Sequence, residues 1–145
     1  MTILTEEILF KFLKRMITDL ERTSQYSYRD AYSKRFNLTL ELKCRRTHYQ
    51  DILIEKIKWN KLIKHKNIRY VNSTPKGIFS FDLRELQEPI WYDHKMPLHT
   101  DFENNDFVLK KVGYLPIEDA KDITFLLLTE EDFYKLQFIK PYDSR

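Results

Sequence analysis

Glycine and cysteine are scarce in this sequence, which has two glycines and one cysteine among its 145 residues. The single cysteine, Cys44, excludes a disulfide within the chain and indicates a reducing compartment such as the cytoplasm. So few glycines argue against a linker-rich or repeat protein. They also leave no glycine-rich phosphate loop, which argues against an ATPase.

Long hydrophobic runs are absent as well. The longest, Ile123 to Leu128, falls far short of the roughly 20 residues that a membrane-spanning helix needs. The opening residues, MTILTEEILF, lack the basic start and apolar run of a secretory signal. We therefore expect a soluble cytoplasmic protein that does not contact a membrane.

Neither sign of charge dominates, since the formal net charge is only +3. Such a charge permits binding to phosphate but does not demand it. Basic residues nevertheless concentrate between Lys34 and Arg69, whereas the C-terminal third is acidic to neutral. If a polyanion such as nucleic acid binds, we expect it to bind the first half of the chain.

The composition that remains is that of a folded protein. Hydrophobic residues make up 42% of the chain and charged residues 32%, which favours a buried core over a disordered tail. A length of 145 residues is typical of one domain with one core. We expect residues 1–145 to form a single domain.

Hydrophobic periodicity predicts the elements of the first half. Apolar residues three and four apart predict an amphipathic helix over 5–21. Alternation predicts strands over 28–34 and 38–45, joined as a hairpin. Thr47 and Gln50 match a capping box, which predicts a second helix to about residue 64.

The second half is predicted to add strands, an irregular segment and a short helix. Residues 84–105 are expected to be irregular, and the helix over 129–138 begins with a Thr-x-x-Asp cap. The strands are predicted over 69–72, 78–83, 107–114 and 123–128. This order of elements favours an α/β or α+β fold with helices packed on a central sheet.

The most informative motif is Glu41-Leu42-Lys43, in the middle of an otherwise apolar strand. Because side chains alternate along a strand, Glu41 and Lys43 project from one face about 7 Å apart. An acid and a base are costly to bury without a purpose. An active site can use both, since carboxylate oxygen binds Mg²⁺ and an ammonium orients a water or balances charge on a phosphate.

Asp30 is the candidate for a second carboxylate, because a metal ion rarely binds to one carboxylate alone. A hairpin that turns near residues 35–37 brings Asp30 close to Glu41. Asp30, Glu41 and Lys43 are therefore the predicted catalytic residues, with Asp30 and Glu41 as metal ligands. A plain turn or strand-end aspartate is the alternative for Asp30.

Asp30 followed by Glu41-Leu-Lys43, between an amphipathic helix and a basic helix, resembles the PD-(D/E)xK nuclease superfamily, which includes restriction endonucleases and Holliday-junction resolvases. The resemblance covers roughly residues 5–83, and TLELKCRR and IEKIKWNKL are similar to segments of small phage and bacterial proteins of this class. It implies a restriction endonuclease-like mixed β-sheet flanked by helices, with Mg²⁺ or Mn²⁺ at the aspartate and glutamate. Arg29 stands where the family usually has a proline.

The resemblance also implies further site residues. Family members often add an acid from the first helix, and a helical wheel favours Glu6, which flanks the apolar stripe, over Glu7 and Glu21. The expected substrate is DNA, and a homodimer is compatible with the sequence but not required. The basic residues assigned to nucleic-acid binding are Arg45, Arg46, Lys58 and Lys61.

A metal-dependent nuclease is thus the expected function, and other interpretations stay open. The first alternative is a catalytically inactive module on the same fold that binds nucleic acid or a protein. A weaker one is an oligomeric scaffold that uses the aromatic C-terminal half. For Glu41 and Lys43 themselves, the alternative is a solvated strand face with a cross-strand ion pair, which contributes little to stability.

Overall fold

The computed structural model describes residues 4–23, 31–97 and 107–136. Within these ranges the chain forms four α-helices and nine β-strands, which confirms the predicted mixture of helices and sheet. The helices are α1 Glu6–Met16, α2 Lys56–Leu62, α3 Thr124–Leu127 and α4 Glu130–Leu136. The strands are β1 Glu21–Arg22, β2 Ala31–Ser33, β3 Leu38–Cys44, β4 Asp51–Glu55, β5 Ile68–Thr74, β6 Gly77–Asp82, β7 Tyr92–Pro97, β8 Phe107–Pro116 and β9 Lys121–Asp122.

Six of the strands form a main sheet in the order β1-β2-β3-β5-β6-β9. The sheet is mixed, because β3 and β5 run parallel and the other neighbours are antiparallel. A parallel pair needs a long crossover, and β4 and α2 lie in the connection between β3 and β5. The strand β4 joins a second, antiparallel sheet in the order β4-β8-β7.

One face of the main sheet packs against helices. Leu40 and Leu42 of β3 are buried in one cluster with Leu9 and Leu13 of α1. Cys44 packs against the same cluster, as expected from its place on the apolar side of the strand. The alternation in β3 therefore reflects two different environments, with an apolar core on the side of α1.

The opposite face of the main sheet packs against β4, β8 and α2. Trp59 of α2 and Ile52 of β4 are buried in a second cluster with Tyr70 and Phe81 of the main sheet. This face is the one to which Glu41 and Lys43 belong, since they alternate with Leu40 and Leu42. Two of the predicted site residues therefore lie at a packed interface between two layers.

The predicted hairpin of β2 and β3 is confirmed. Ala31 pairs with Leu40 and Ser33 with Leu38 in an antiparallel register. The turn contains Asn37 at a left-handed φ of 48°, a conformation that asparagine tolerates better than most residues. This turn fixes the register in which β2 approaches the strand carrying Glu41.

The predicted helix over 5–21 is shorter than expected. α1 begins after Thr5, whose Oγ1 accepts a hydrogen bond from the Ile8 amide at 3.2 Å, and ends at Met16. Beyond it, the Lys14 ammonium donates hydrogen bonds to the carbonyl oxygens of Thr18 and Leu20. Leu20 lies beyond the end of α1 and is buried. Its apolar side chain therefore fits the helical spacing because it packs in the core and not because the helix continues.

The helix predicted from the capping box at Thr47 and Gln50 is wrong in its first half. Asp51–Glu55 is the strand β4, and α2 begins only at Lys56 with no side-chain cap. Ile52 and Ile54 are the buried residues of this strand, and isoleucine suits a half-buried strand. Residues 51–55 form a strand because they pair with β8, which lies far along the chain, and the local capping pattern does not predict this pairing.

Two predictions in the second half are also wrong. The apolar run Ile123–Leu128 was expected to be a strand, but Thr124–Leu127 is the helix α3, and Asp122 accepts a hydrogen bond from the Thr124 amide at 3.0 Å. Of the segment expected to be irregular, Tyr92–Pro97 forms β7 on β8, while residues 98–105 lie outside the described ranges. β7 is mostly exposed, so it carries no hydrophobic alternation that would mark it as a strand.

The short C-terminal helix and its cap are confirmed. α4 follows Thr129, whose amide donates to Oδ2 of Asp132 at 2.8 Å, while the Asp132 amide donates to Oγ1 of Thr129 at 3.2 Å.

No helix within the described ranges is long and apolar enough to cross a membrane.

Candidate active site

Glu41 and Lys43 lie side by side on β3, on the face covered by the second sheet and α2. The parallel register pairs Glu41 with Tyr70 and Lys43 with Asn72 of β5. Glu41 is only 5% exposed, and Lys43 is half-buried. Glu41 therefore does not lie on a solvated strand face.

Lys58 supplies a positive charge to the buried carboxylate. Its Nζ lies 2.9 Å from Oε1 of Glu41, and the side-chain exposures are 31% for Lys58 and 7% for Glu41. A buried carboxylate needs such a partner, because leaving it without a counter-charge is strongly destabilising. Lys58 was assigned to nucleic-acid binding from the sequence, and the structure places it at the carboxylate.

Lys43 is surrounded by charges of both signs. Burial lowers the pKa of its ammonium, and the positive charges of Lys58 and Arg45 lower it further, whereas Glu6 and Glu41 raise it. Because burial and the two cations dominate, the ammonium of Lys43 loses its proton more readily than that of an exposed lysine. The five side chains therefore belong to one electrostatic cluster, although they come from three separate parts of the chain.

Arg45 joins three strands within this cluster. Its Nε donates a hydrogen bond to Oδ1 of Asn72 at 2.7 Å. Its Nη2 donates to the carbonyl oxygen of Leu53 at 3.0 Å and to the hydroxyl of Tyr70 at 3.1 Å. Arg45 was assigned to nucleic-acid binding, and the structure places its guanidinium between β3, β5 and β4.

Asn72 carries a buried donor beside Lys43. The residue has no exposed surface, and the bond from Arg45 fixes which end of its amide faces the guanidinium. Within the described part of the chain, Nδ2 of Asn72 has no hydrogen-bond acceptor. Since buried donors without acceptors are rare and costly, this amide is suited to a water or a ligand oxygen.

Tyr70 is the second buried residue that Arg45 contacts on β5. It is 2% exposed, and burial raises the pKa of its hydroxyl, so the group stays protonated at neutral pH. The segment Tyr70-Val71-Asn72 is part of the resemblance to the nuclease superfamily, but no role was assigned to Tyr70 or Asn72 from the sequence. The only local signal for Asn72 is an amide within a strand, and amides are uncommon in strands.

The remaining predicted site residues occupy different places. Glu6 is the exposed first residue of α1, and its carboxylate lies 3.9 Å from the Arg22 guanidinium. Arg46 is exposed just after β3, and Lys61 is half-buried on α2. Asp30 lies outside the described residues. Five of the eight predicted residues nevertheless interact electrostatically, because the charges of Glu6, Glu41, Arg45 and Lys58 all act on the pKa of Lys43.

The carboxylates of this cluster are the groups that could hold a hard divalent cation. Carboxylate oxygens are the protein ligands that Mg²⁺ prefers, and of the two predicted carboxylates, Glu41 is buried and Glu6 is exposed beside Arg22. Among residues 4–23, 31–97 and 107–136, no three His, Cys, Asp or Glu side chains form a metal-binding group. Glu41 is the anchor of any such site, because it is the buried carboxylate.

Comparisons with protein-family models, curated proteins and solved structures found no match to this chain. The likeness to the PD-(D/E)xK superfamily therefore stays a prediction from the sequence motif. Any conclusion about function therefore depends on the chemistry of the electrostatic cluster formed by Glu6, Glu41, Lys43, Arg45 and Lys58.

Proposed function

We propose that this protein is a metal-dependent nuclease of the PD-(D/E)xK type, which hydrolyses phosphodiester bonds in DNA. The observation that carries the proposal is the adjacent pair on β3, in which Glu41 is buried and Lys43 is half-buried on the same face. A carboxylate and an ammonium in this arrangement are the groups that phosphodiester hydrolysis needs. Burial makes their charges more effective, because water screens them less.

Each residue has a distinct role in this proposal. Glu41 holds Mg²⁺ or Mn²⁺ together with Asp30, and Glu6 adds a third carboxylate from α1. When bound, the cation polarises the phosphate and makes a coordinated water more acidic. Lys43 orients the attacking water and offsets the charge that grows on the phosphate.

The assignment of Asp30 depends on the sequence and on the register of its neighbour. Ala31, which follows Asp30 in the chain, pairs with Leu40, the residue before Glu41. This pairing supports Asp30 as the second metal ligand. Replacing Asp30 by Asn should therefore weaken metal binding as strongly as Glu41→Gln does.

The proposed DNA contacts lie close to the cluster along the chain. Arg46 is exposed directly after β3, and Lys61 lies one turn after Lys58 on α2. Both belong to the basic segment between Lys34 and Arg69, which suits a phosphate backbone. We place the protein in the cytoplasm, where the thiol of Cys44 stays reduced, and infer a phage or mobile-element origin from the resemblance.

Cleavage assays test the proposal. Labelled duplex, single-stranded and branched DNA and an RNA are incubated with the protein and Mg²⁺ or Mn²⁺. We expect at least one DNA to be cut, with the activity lost on chelation and reduced roughly a hundredfold or more by Lys43→Ala. Lys121→Ala, at an exposed lysine of β9 outside the basic segment, is the matched control and should keep the wild-type rate. Absence of metal-dependent cleavage on every DNA substrate would refute the proposal, whether or not the RNA is cut.

A catalytically inactive binding module is the second candidate. The observation that favours it is the ion pair between Lys58 and Glu41, which balances the buried charge without a metal. A pure binder should retain nucleic acid or a protein partner when Glu41 is changed to Gln. Its melting temperature should also not respond to Mg²⁺ or Mn²⁺, since only a ligand bound by the folded state stabilises it.

A further inference from the structure

We propose that Lys58 is a displaceable counter-cation for Glu41, which holds the buried carboxylate in the metal-free protein and leaves it when a divalent cation binds. The inference rests on the proposed metal site and adds the residue that sets its affinity. Lys58 then acts as a positioning residue through Glu41.

The contact between the two residues makes them competitors with a metal. The Lys58 ammonium lies 2.9 Å from Oε1 of Glu41, so it occupies one of the two oxygens that this carboxylate can offer. A divalent cation binds carboxylate oxygen at about 2.0–2.6 Å. Two cations on one buried carboxylate repel each other strongly, because few water molecules screen them.

The asymmetry in exposure decides which partner moves. Glu41 is held in the middle of β3, with only 7% of its side chain exposed, whereas 31% of the Lys58 side chain is exposed. A lysine side chain is long and flexible, and its ammonium can reach solvent while the methylene groups stay packed. The exchange therefore requires only a rotation of Lys58 and leaves the strand in place.

The surrounding charge adds a reason for Lys58 to leave. The positive charges of Lys58 and Arg45 both act on the ammonium of Lys43 and lower its pKa. Arg45 cannot move freely, because its guanidinium holds Leu53, Tyr70 and Asn72. Of the cations near Glu41, Lys58 is the one that a divalent ion displaces at least structural cost.

Titration of the whole protein with MnCl2 tests this inference without any cleavage assay. Calorimetry gives the Mn²⁺ dissociation constant of the wild type and of Lys58→Met, which keeps most of the length of the side chain and removes its charge. We expect Lys58→Met to bind Mn²⁺ roughly tenfold more tightly, as the loss of a competing ion pair predicts. Metal-free Lys58→Met should melt at a lower temperature, because Glu41 loses its counter-charge.

Matched variants assign the effect to Glu41. Lys64→Met removes the same charge from an exposed position just after α2 and should bind Mn²⁺ as the wild type does. Glu41→Gln should abolish binding in either background. If Lys58→Met does not fold, Lys58→Gln replaces it, since glutamine is polar and carries no charge.

The outcomes separate this inference from the proposed function. If the wild type binds Mn²⁺ through Glu41 and neutral Lys58 variants bind it equally or more weakly, the inference is overturned while the metal site stands. If neither the wild type nor the variants bind Mn²⁺, both are overturned. Binding by the Lys58 variants alone would support the inference, because it would mean that Lys58 blocks the site.

Discussion

Arg45 and Asn72 form a hydrogen bond of 2.7 Å, from the guanidinium Nε to the side-chain Oδ1, in the layer between the two sheets. The same guanidinium reaches the carbonyl oxygen of Leu53 on β4 and the hydroxyl of Tyr70 on β5. Glu41 and Lys43 lie in this layer as well. The bond therefore helps to fix the spacing of the strands that hold the candidate site.

Replacing Arg45 by Met should destabilise the protein. Three acceptors lose their donor at once, and Asn72 and Tyr70 are buried, so we expect a loss of about 2–4 kcal/mol in the free energy of unfolding. Urea denaturation followed by circular dichroism measures it.

The neighbouring arginine provides the control. Arg46 is exposed, so Arg46→Met should change stability by no more than about 0.5 kcal/mol while weakening DNA binding. Equal stabilities for the two variants would contradict the structural role of Arg45. Unchanged DNA binding in Arg46→Met would remove that residue from the proposed interface.

The central strand β3 and its hairpin were predictable from the sequence because the alternation of apolar and polar residues along the strand matches the two layers that cover it. In β3, Leu40 and Leu42 alternate with Thr39 and Glu41, and both faces of the strand are covered by different layers. The same reasoning failed for β4. This strand pairs with β8, which lies far along the chain, and the residues near Thr47 give no information about that pairing.

The candidate site was predictable only in part, for a related reason. Alternation placed Glu41 and Lys43 on one face, but it carries no information about what covers that face. The approach of α2 brings Lys58 to Glu41, and the parallel pairing with β5 brings Asn72 beside Lys43. These contacts arise from tertiary packing, so neither the ion pair nor the buried amide could be derived from spacing.

Acid should weaken the contact between α1 and α4. Hydrogen bonds from Arg15, and then from Thr129, lower the pKa of Asp132 from 3.8 to about 2. Because the folded pKa lies below the unfolded one, Asp132 stabilises the fold above about pH 4, and this contribution is lost as the pH falls towards 2. Asp132→Asn should therefore cost about 1 kcal/mol at pH 7 and progressively less below pH 4.

Urea denaturation of wild type and Asp132→Asn at pH 7 and pH 2.5 checks this expectation. Glu131→Gln is the control, since Glu131 is exposed and its carboxylate lies 3.0 Å from the Lys135 ammonium in the same helix. Its small effect at neutral pH should fall well short of that of Asp132→Asn. A difference between wild type and Asp132→Asn that stays constant with pH would exclude the proposed role of the carboxylate.

The most direct test of the whole account is a crystal grown without metal and soaked in MnCl2. Anomalous diffraction at the manganese absorption edge locates the ion without reference to activity. The account predicts a peak within about 2.0–2.6 Å of a Glu41 carboxylate oxygen, with the Lys58 ammonium moved away from Oε1. A fully soaked crystal with no manganese at Glu41, and with Lys58 still bound to it, would contradict the account.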